Sequence, residues 1–236
     1  MKENCLGHAE MRWLWAWVVV RLVKRLVVAS IVLLLALSVF AFPVESFGSS
    51  VFYLSLAFFV CAVLAASWKG GIRKGFGYLR LMFRAKDVPR LLLEAVVLFA
   101  ACGITTLAVS GIFLVLGLLD TQAVYEKMIM LPLPVLIAAF TFAPLAEETM
   151  FRGFLFRKME DWLALLGKNA WVAAALLSSL IFALLHASYG SVAEVGVAFA
   201  IGFVLCIGTK RFNSLVPAVL AHAAFNFASI VMAVFL

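Results

Sequence analysis

The chain has 236 residues, 66% of them hydrophobic and only 13% charged, a composition that excludes an ordinary water-soluble globule. A formal net charge of +7 would suit nucleic acid in a soluble protein. Here the basic residues gather in short connections between apolar stretches, where they meet anionic headgroups, so no nucleic-acid partner is expected.

In chain order, residues 1–25 set Arg12, Arg21, Lys24 and Arg25 around Trp13, Trp15 and Trp17, the make-up of a basic segment lying at a membrane interface. A cleaved signal peptide fits less well, because its charged region would be long and no small-x-small cleavage site follows. Apolar stretches able to cross a hydrocarbon core of roughly 30 Å then run over 26–42, 51–68, 91–119, 135–156, 170–186, 192–209 and 215–236. The expected fold is therefore all-α, a polytopic membrane bundle of about seven transmembrane helices, with the long third stretch tilted or broken near Gly103 or Gly111. On this reading the chain divides into the interfacial segment 1–25, three spans and their loops over 26–134, and a core of four spans over 135–236.

Lys and Arg in the short loops set the orientation. The connection 69–90 holds Lys69, Arg73, Lys74, Arg80, Arg84, Lys86 and Arg90 against Asp87 alone, which predicts a cytoplasmic loop. Seven spans bring the amino terminus, Lys210 and Arg211 to the same side, and the basic-poor connections 43–50 and 120–134 to the other. The predicted location is the inner (plasma) membrane, crossed several times. The cysteines, Cys5, Cys61, Cys102 and Cys206, are far apart without CxxC spacing and are read as packing residues. No internal repeat or low-complexity tract is present.

Glu147, Glu148 and Arg152 stand inside the fourth stretch, where three charges cost on the order of 8 to 10 kcal/mol before pairing. Glu148 and Arg152, at i and i+4, share one helix face and suit an ion pair, whereas Glu147 points about 100° away. Glu147 is thus the carboxylate left for chemistry. The blander alternative is a salt-bridge knot that fixes helix packing, but a knot needs only one glutamate. Low dielectric around an unpaired carboxylate is the condition under which such a group serves as general base or acid near neutrality. Pro144 just upstream favours a kink. Glu94, four residues from Arg90, and Glu194, at the start of a span, are read as structural.

Two later spans carry polar pairs at helical spacing: Phe182 with His186, and His222 with Asn226. A lone membrane histidine is more often packed than catalytic. His222 and Asn226 together present two donors that suit one oxyanion.

The runs Glu147-Glu148-Thr-Met-Phe-Arg152, Phe182-Ala-Leu-Leu-His186 and His222-Ala-Ala-Phe-Asn226 resemble the three motifs of the CPBP family. These are intramembrane glutamic endopeptidases, including the type II CAAX prenyl endopeptidases and bacteriocin-processing or immunity-type bacterial relatives. The resemblance covers roughly residues 135 to 230. It implies that Glu147 and His186 polarise a water, that His222 and Asn226 stabilise the oxyanion, and that Glu148, Arg152 and Phe182 hold the site in shape. The implied partner is a membrane-anchored or amphipathic protein or peptide substrate in the lipid bilayer; the oligomeric state is not specified. No cofactor is implied. There is no HExxH, and the three histidines are His8, His186 and His222, so no metal ligand is assigned, although relatives classed as metalloproteases leave a divalent metal open.

A non-catalytic membrane scaffold or immunity protein with the same fold is the rival reading. A proton-relay transporter lacks its inverted repeat, Ser110-Gly111 lacks a rhomboid-type context, and no span interior holds an aspartate. Depth poses a conflict. At about 1.5 Å per residue, Glu147 and His222 lie roughly 10 Å from the cytoplasmic ends of their spans and His186 roughly 24 Å, so straight helices with these bounds keep the histidine apart.

Overall fold

In lipid every backbone N–H and C=O must find its partner within the segment, so long apolar runs of this kind fold as helices. The computed structural model describes residues 47–68 and 70–235; the interfacial segment 1–25 and the expected first span 26–42 lie outside the described residues. The described helices are α1 (Phe47–Ser67), α2 (Gly71–Tyr78), α3 (Val88–Val115), α4 (Gln122–Ile129), α5 (Leu133–Phe140), α6 (Phe142–Glu148), a π-helical segment (Thr149–Leu155), α7 (Phe156–Trp162), α8 (Ala170–Leu185), α9 (Val192–Phe212) and α10 (Val216–Phe235). Among the described residues five helical stretches are long and apolar enough to cross a membrane. A sixth is added if the α1–α2 pair, bent by 108°, forms one span. The protein is a multi-pass, all-helical membrane protein.

Three expectations change in detail. The third stretch is an unbroken helix from Val88 to Val115: Gly103 and Gly111 have no neighbour within 4 Å of an added Cβ, so neither marks a break or a close approach. The connection 120–134 contains a helix of its own, α4, which its mixed polar sequence concealed. The fourth stretch runs over Leu133–Trp162 rather than 135–156, and it is not straight. It breaks at Thr141 (φ −113, ψ −71) between α5 and α6, in the turn before Pro144, whose ring crowds the Phe140 carbonyl and cannot supply it with an N–H. Thr141 Oγ1 donates to the Ile137 carbonyl at 2.7 Å. The helix then widens into the π-helical segment immediately after the glutamates, a feature frequent at functional sites.

Packing sets α9 against both α8 and α3, and α10 against α3, α5 and α6, while α1 covers α6 and the π-helical segment. Every residue from Thr149 to Leu155 is buried. A hydrophobic cluster of Leu98, Cys102, Val197, Ile201, Leu205, Ala218 and Ala221 joins α3, α9 and α10. Two glycines bring α9 close to α3. A Cβ on Gly208 would lie 2.5 Å from Leu98 Cδ2, and one on Gly196 would lie 2.5 Å from Phe113 Cε2. Without a driving force from water, such small residues decide how tightly membrane helices associate.

Gly208→Val should therefore push α9 off α3, at a cost of about 1–3 kcal/mol. A lower thermal unfolding midpoint in detergent, with membrane insertion retained, is the expected result. An unchanged midpoint would show that the contact does not limit stability.

Candidate active site

The site grows from one buried charge pair. Arg152 Nη1 donates to Glu148 Oε1 at 2.8 Å, and both side chains are 0% exposed. The guanidinium lies over the Phe182 ring, 4.2 Å from its centroid, where a desolvated cation gains from the ring quadrupole. On its other flank a Cβ at Gly202 would stand 3.0 Å from Arg152 Nη2, so α9 must be a glycine there to approach. Ser178 Oγ donates to the Phe151 carbonyl at 3.0 Å, tying the π-helical segment to α8.

Glu148 does more than the helical spacing predicted. Beside the expected pairing with Arg152, its Oε1 also lies 2.8 Å from His222 Nδ1. A carboxylate accepts, so Nδ1 carries the proton of this hydrogen bond and the ring's Nε2 faces away from Glu148. It faces Glu147, whose Oε2 is 3.8 Å distant. Glu147 differs from its neighbour in exposure as well, with a side chain 19% accessible against 0% for Glu148. One glutamate is sealed and shared between Arg152 and His222; the other is partly exposed and meets a histidine edge.

Phe182 links the remaining groups. Its ring centroid lies 4.6 Å from that of His186 and 6.0 Å from that of His222. His186 sits at the start of a 3-10 turn, His186–Tyr189, that ends α8. Its Nδ1 donates to the Phe182 carbonyl at 3.0 Å, a bond that does not use Nε2, and its ring stacks on Tyr189 at 5.8 Å. Asn226 Nδ2 donates to the Ala139 carbonyl at 2.9 Å. One amide N–H is thereby used to hold α10 against the end of α5.

The depth conflict between Glu147 and His186 dissolves once the true end of the fourth span is used. Arg157, Lys158, Glu160 and Asp161 read as a loop but form α7, with Lys158 3.8 Å from Asp161 and Lys210 of α9 paired to Glu160. Counted from Trp162, Glu147 lies about 22 Å deep at roughly 1.5 Å per residue, level with His186 counted from Ala170. His222 reaches the glutamates from α10, whose start is anchored by Leu215, fully buried, with its N–H donating to the Arg80 carbonyl at 3.1 Å.

Several contributors carried no signal in the sequence. Lys127 of α4 donates to the carbonyls of Ser188 and Tyr189 at 2.7 and 2.9 Å, clamping the turn that bears His186 from 61 residues away. Ser178 and Gly202 belong to spans that read as plain apolar helix. Among the described residues no group of three or more His, Cys, Asp or Glu side chains has metal-holding geometry.

Residues 129–228 match the family model described as "Type II CAAX prenyl endopeptidase Rce1-like", and over that stretch the chain is similar to CAAX proteases. An uncharacterized 24.3 kDa protein of Escherichia coli is 33% identical over 90 residues, which are 37% of this chain and 38% of that protein. The matched stretch thus spans well under half of the curated relative. No solved structure matches. The matched residues contain the whole cluster from Glu147 to Asn226.

Removing one member of the buried pair should leave an uncompensated charge and cost about 3–5 kcal/mol, as in Arg152→Met or Glu148→Leu alone. The double substitution Glu148→Leu with Arg152→Met should recover most of that loss. Membrane accumulation and thermal midpoints of the three variants check this; a double variant as unstable as the sum of the singles rejects the pairing as the source of the cost.

Proposed function

We propose that the chain is an intramembrane glutamic endopeptidase that hydrolyses a peptide bond in a membrane-anchored or amphipathic protein or peptide. Its core over 135–236 would lie in the inner membrane, with the basic connection 69–90 cytoplasmic. The observation that carries this reading is the accessible Glu147 carboxylate facing His222 Nε2 at 3.8 Å, while Glu148 fixes the far nitrogen of the same ring. A water beside that pair is within reach of both atoms. Glu147 takes its proton as the oxygen forms the new bond to the scissile carbonyl carbon. The developing oxyanion is met by the second amide N–H of Asn226 and by His222 when its Nε2 is protonated. His186, with Nδ1 held by a backbone carbonyl, presents Nε2 as a second group to polarise the water. The proton held by Glu147 then passes to the leaving nitrogen as the C–N bond breaks.

Glu148, Arg152 and Phe182 act here as positioning residues. Adjacent glutamates suit the task because the 100° step between them sends one to the arginine and the other to the partly exposed side. A non-catalytic scaffold would use the buried pair equally well, yet would gain nothing from an accessible Glu147.

Glu147→Gln is nearly isosteric and keeps the buried pair, so the protein should accumulate in membranes as before. Cleavage should fall by a factor of about 10²–10⁴. Mapping of protein termini in membranes from wild-type and Glu147→Gln cells is the measurement. Termini that vanish in the variant identify substrates; identical termini with intact function would show that the protein works without catalysis.

A further inference from the structure

Where α9 ends and α3, α7 and α10 begin, a cavity of about 360 Å³ is lined by Arg80, Arg90 and Arg157 together with Asp87, Asn213 and Ser214. It belongs to no part of the site above. Three guanidinium groups line it against one carboxylate, and Asp87 Oδ2 already accepts the backbone N–H of Arg84 at 3.2 Å. Arg90 is 3.5 Å from Glu94. The two acids of α7, Glu160 and Asp161, answer Lys210 and Lys158. That leaves Arg80 and Arg157, which form no salt bridge among the described residues.

Both are held in place. Arg80 has φ +57, a left-handed conformation costly for a residue with a Cβ, and it is kept there by its carbonyl's bond from Leu215 N–H at 3.1 Å. Its Nη1 reaches the Thr209 carbonyl at 3.4 Å. The Arg157 guanidinium lies 4.3 Å from the centroid of the Tyr78 ring, and its Nη1 is buried without a hydrogen-bond partner. Burial, and then the charge of Arg157, draw the Arg80 guanidinium below its ordinary value, with Glu160 and Tyr78 opposing. Two cations fixed side by side, one with a buried donor unused, are the arrangement that an oxyanion relieves.

The surroundings say which oxyanion. Met82 and Phe83 also line the cavity and are 55% and 56% exposed. Apolar surface beside guanidinium groups, at the level where spans end, fits a headgroup phosphate above its acyl chains. We propose that this cavity binds the phosphate group of an anionic phospholipid.

The test uses the full chain in nanodiscs of phosphatidylcholine alone, or with one quarter phosphatidylglycerol, comparing lipid retained after delipidation and the thermal midpoint. The wild type should retain phosphatidylglycerol selectively and melt higher in its presence, while inorganic phosphate added to phosphatidylcholine discs should not reproduce the effect. Arg80→Gln with Arg157→Gln should lose the preference by roughly twenty-fivefold, at about fivefold for each charge removed. Arg157→Lys keeps the charge with little risk to folding and should show a weakened preference, since an ammonium lacks the bidentate fork. Equal retention of the two lipids by the wild type, an unchanged preference in Arg157→Lys, or equal protection by inorganic phosphate would overturn the proposal.

Discussion

Glu148 and Arg152 lie 2.8 Å apart with neither side chain reaching solvent, and most of what surrounds them follows from the need to keep two charges content in a low dielectric. Such a pair is poor evidence of stability, because the desolvation of both ions offsets much of their attraction. What it supplies is a fixed point. Arg152 needs a ring beneath it and room above, which Phe182 and Gly202 provide. Glu148 has a second lone pair to satisfy, and His222 supplies the N–H. The pair thereby positions groups from α8, α9 and α10 around the widened turn of the fourth span.

The two glutamates divide the work by angle and by depth of burial. Consecutive residues on a helix cannot face the same partner, so the buried one is committed to Arg152 and His222 while its neighbour faces the half-open side. The histidine between them is read by both: one nitrogen is tied to the sealed carboxylate, and the other is aimed at the accessible one. Orientation of a histidine by a buried acid is a general way to hold a tautomer without a further moving part. The π-helical segment and the break at Thr141 flank this pair on either side, as expected of a helix whose ladder is adjusted where side chains must be aimed.

The spans that became α3, α8, α9 and α10 were legible because continuous apolar runs fold as helices in lipid. Charged residues within such runs stand out by their cost alone. Glu148–Arg152 was legible as well, since i, i+4 spacing acts within one helix, and so was the surface pair Arg90–Glu94. The end of the fourth span was misplaced for the converse reason: α7 is charged and still helical, because its ions pair with one another and with Lys210 rather than with water alone.

The sequence by itself thus determined the class of protein, the helices that carry the polar groups, and which glutamate is free of the arginine, all consequences of local spacing and of hydrocarbon's intolerance of charge. Only the tertiary structure decided that His222 bridges both glutamates, that Asn226 spends an N–H on Ala139, that Lys127 secures the turn of His186, and that Arg80 and Arg157 share a cavity. Each of these joins residues dozens of positions apart, through helix depths and tilts that depend on packing at single glycines and at a buried helix start, and neither composition nor periodicity encodes those distances.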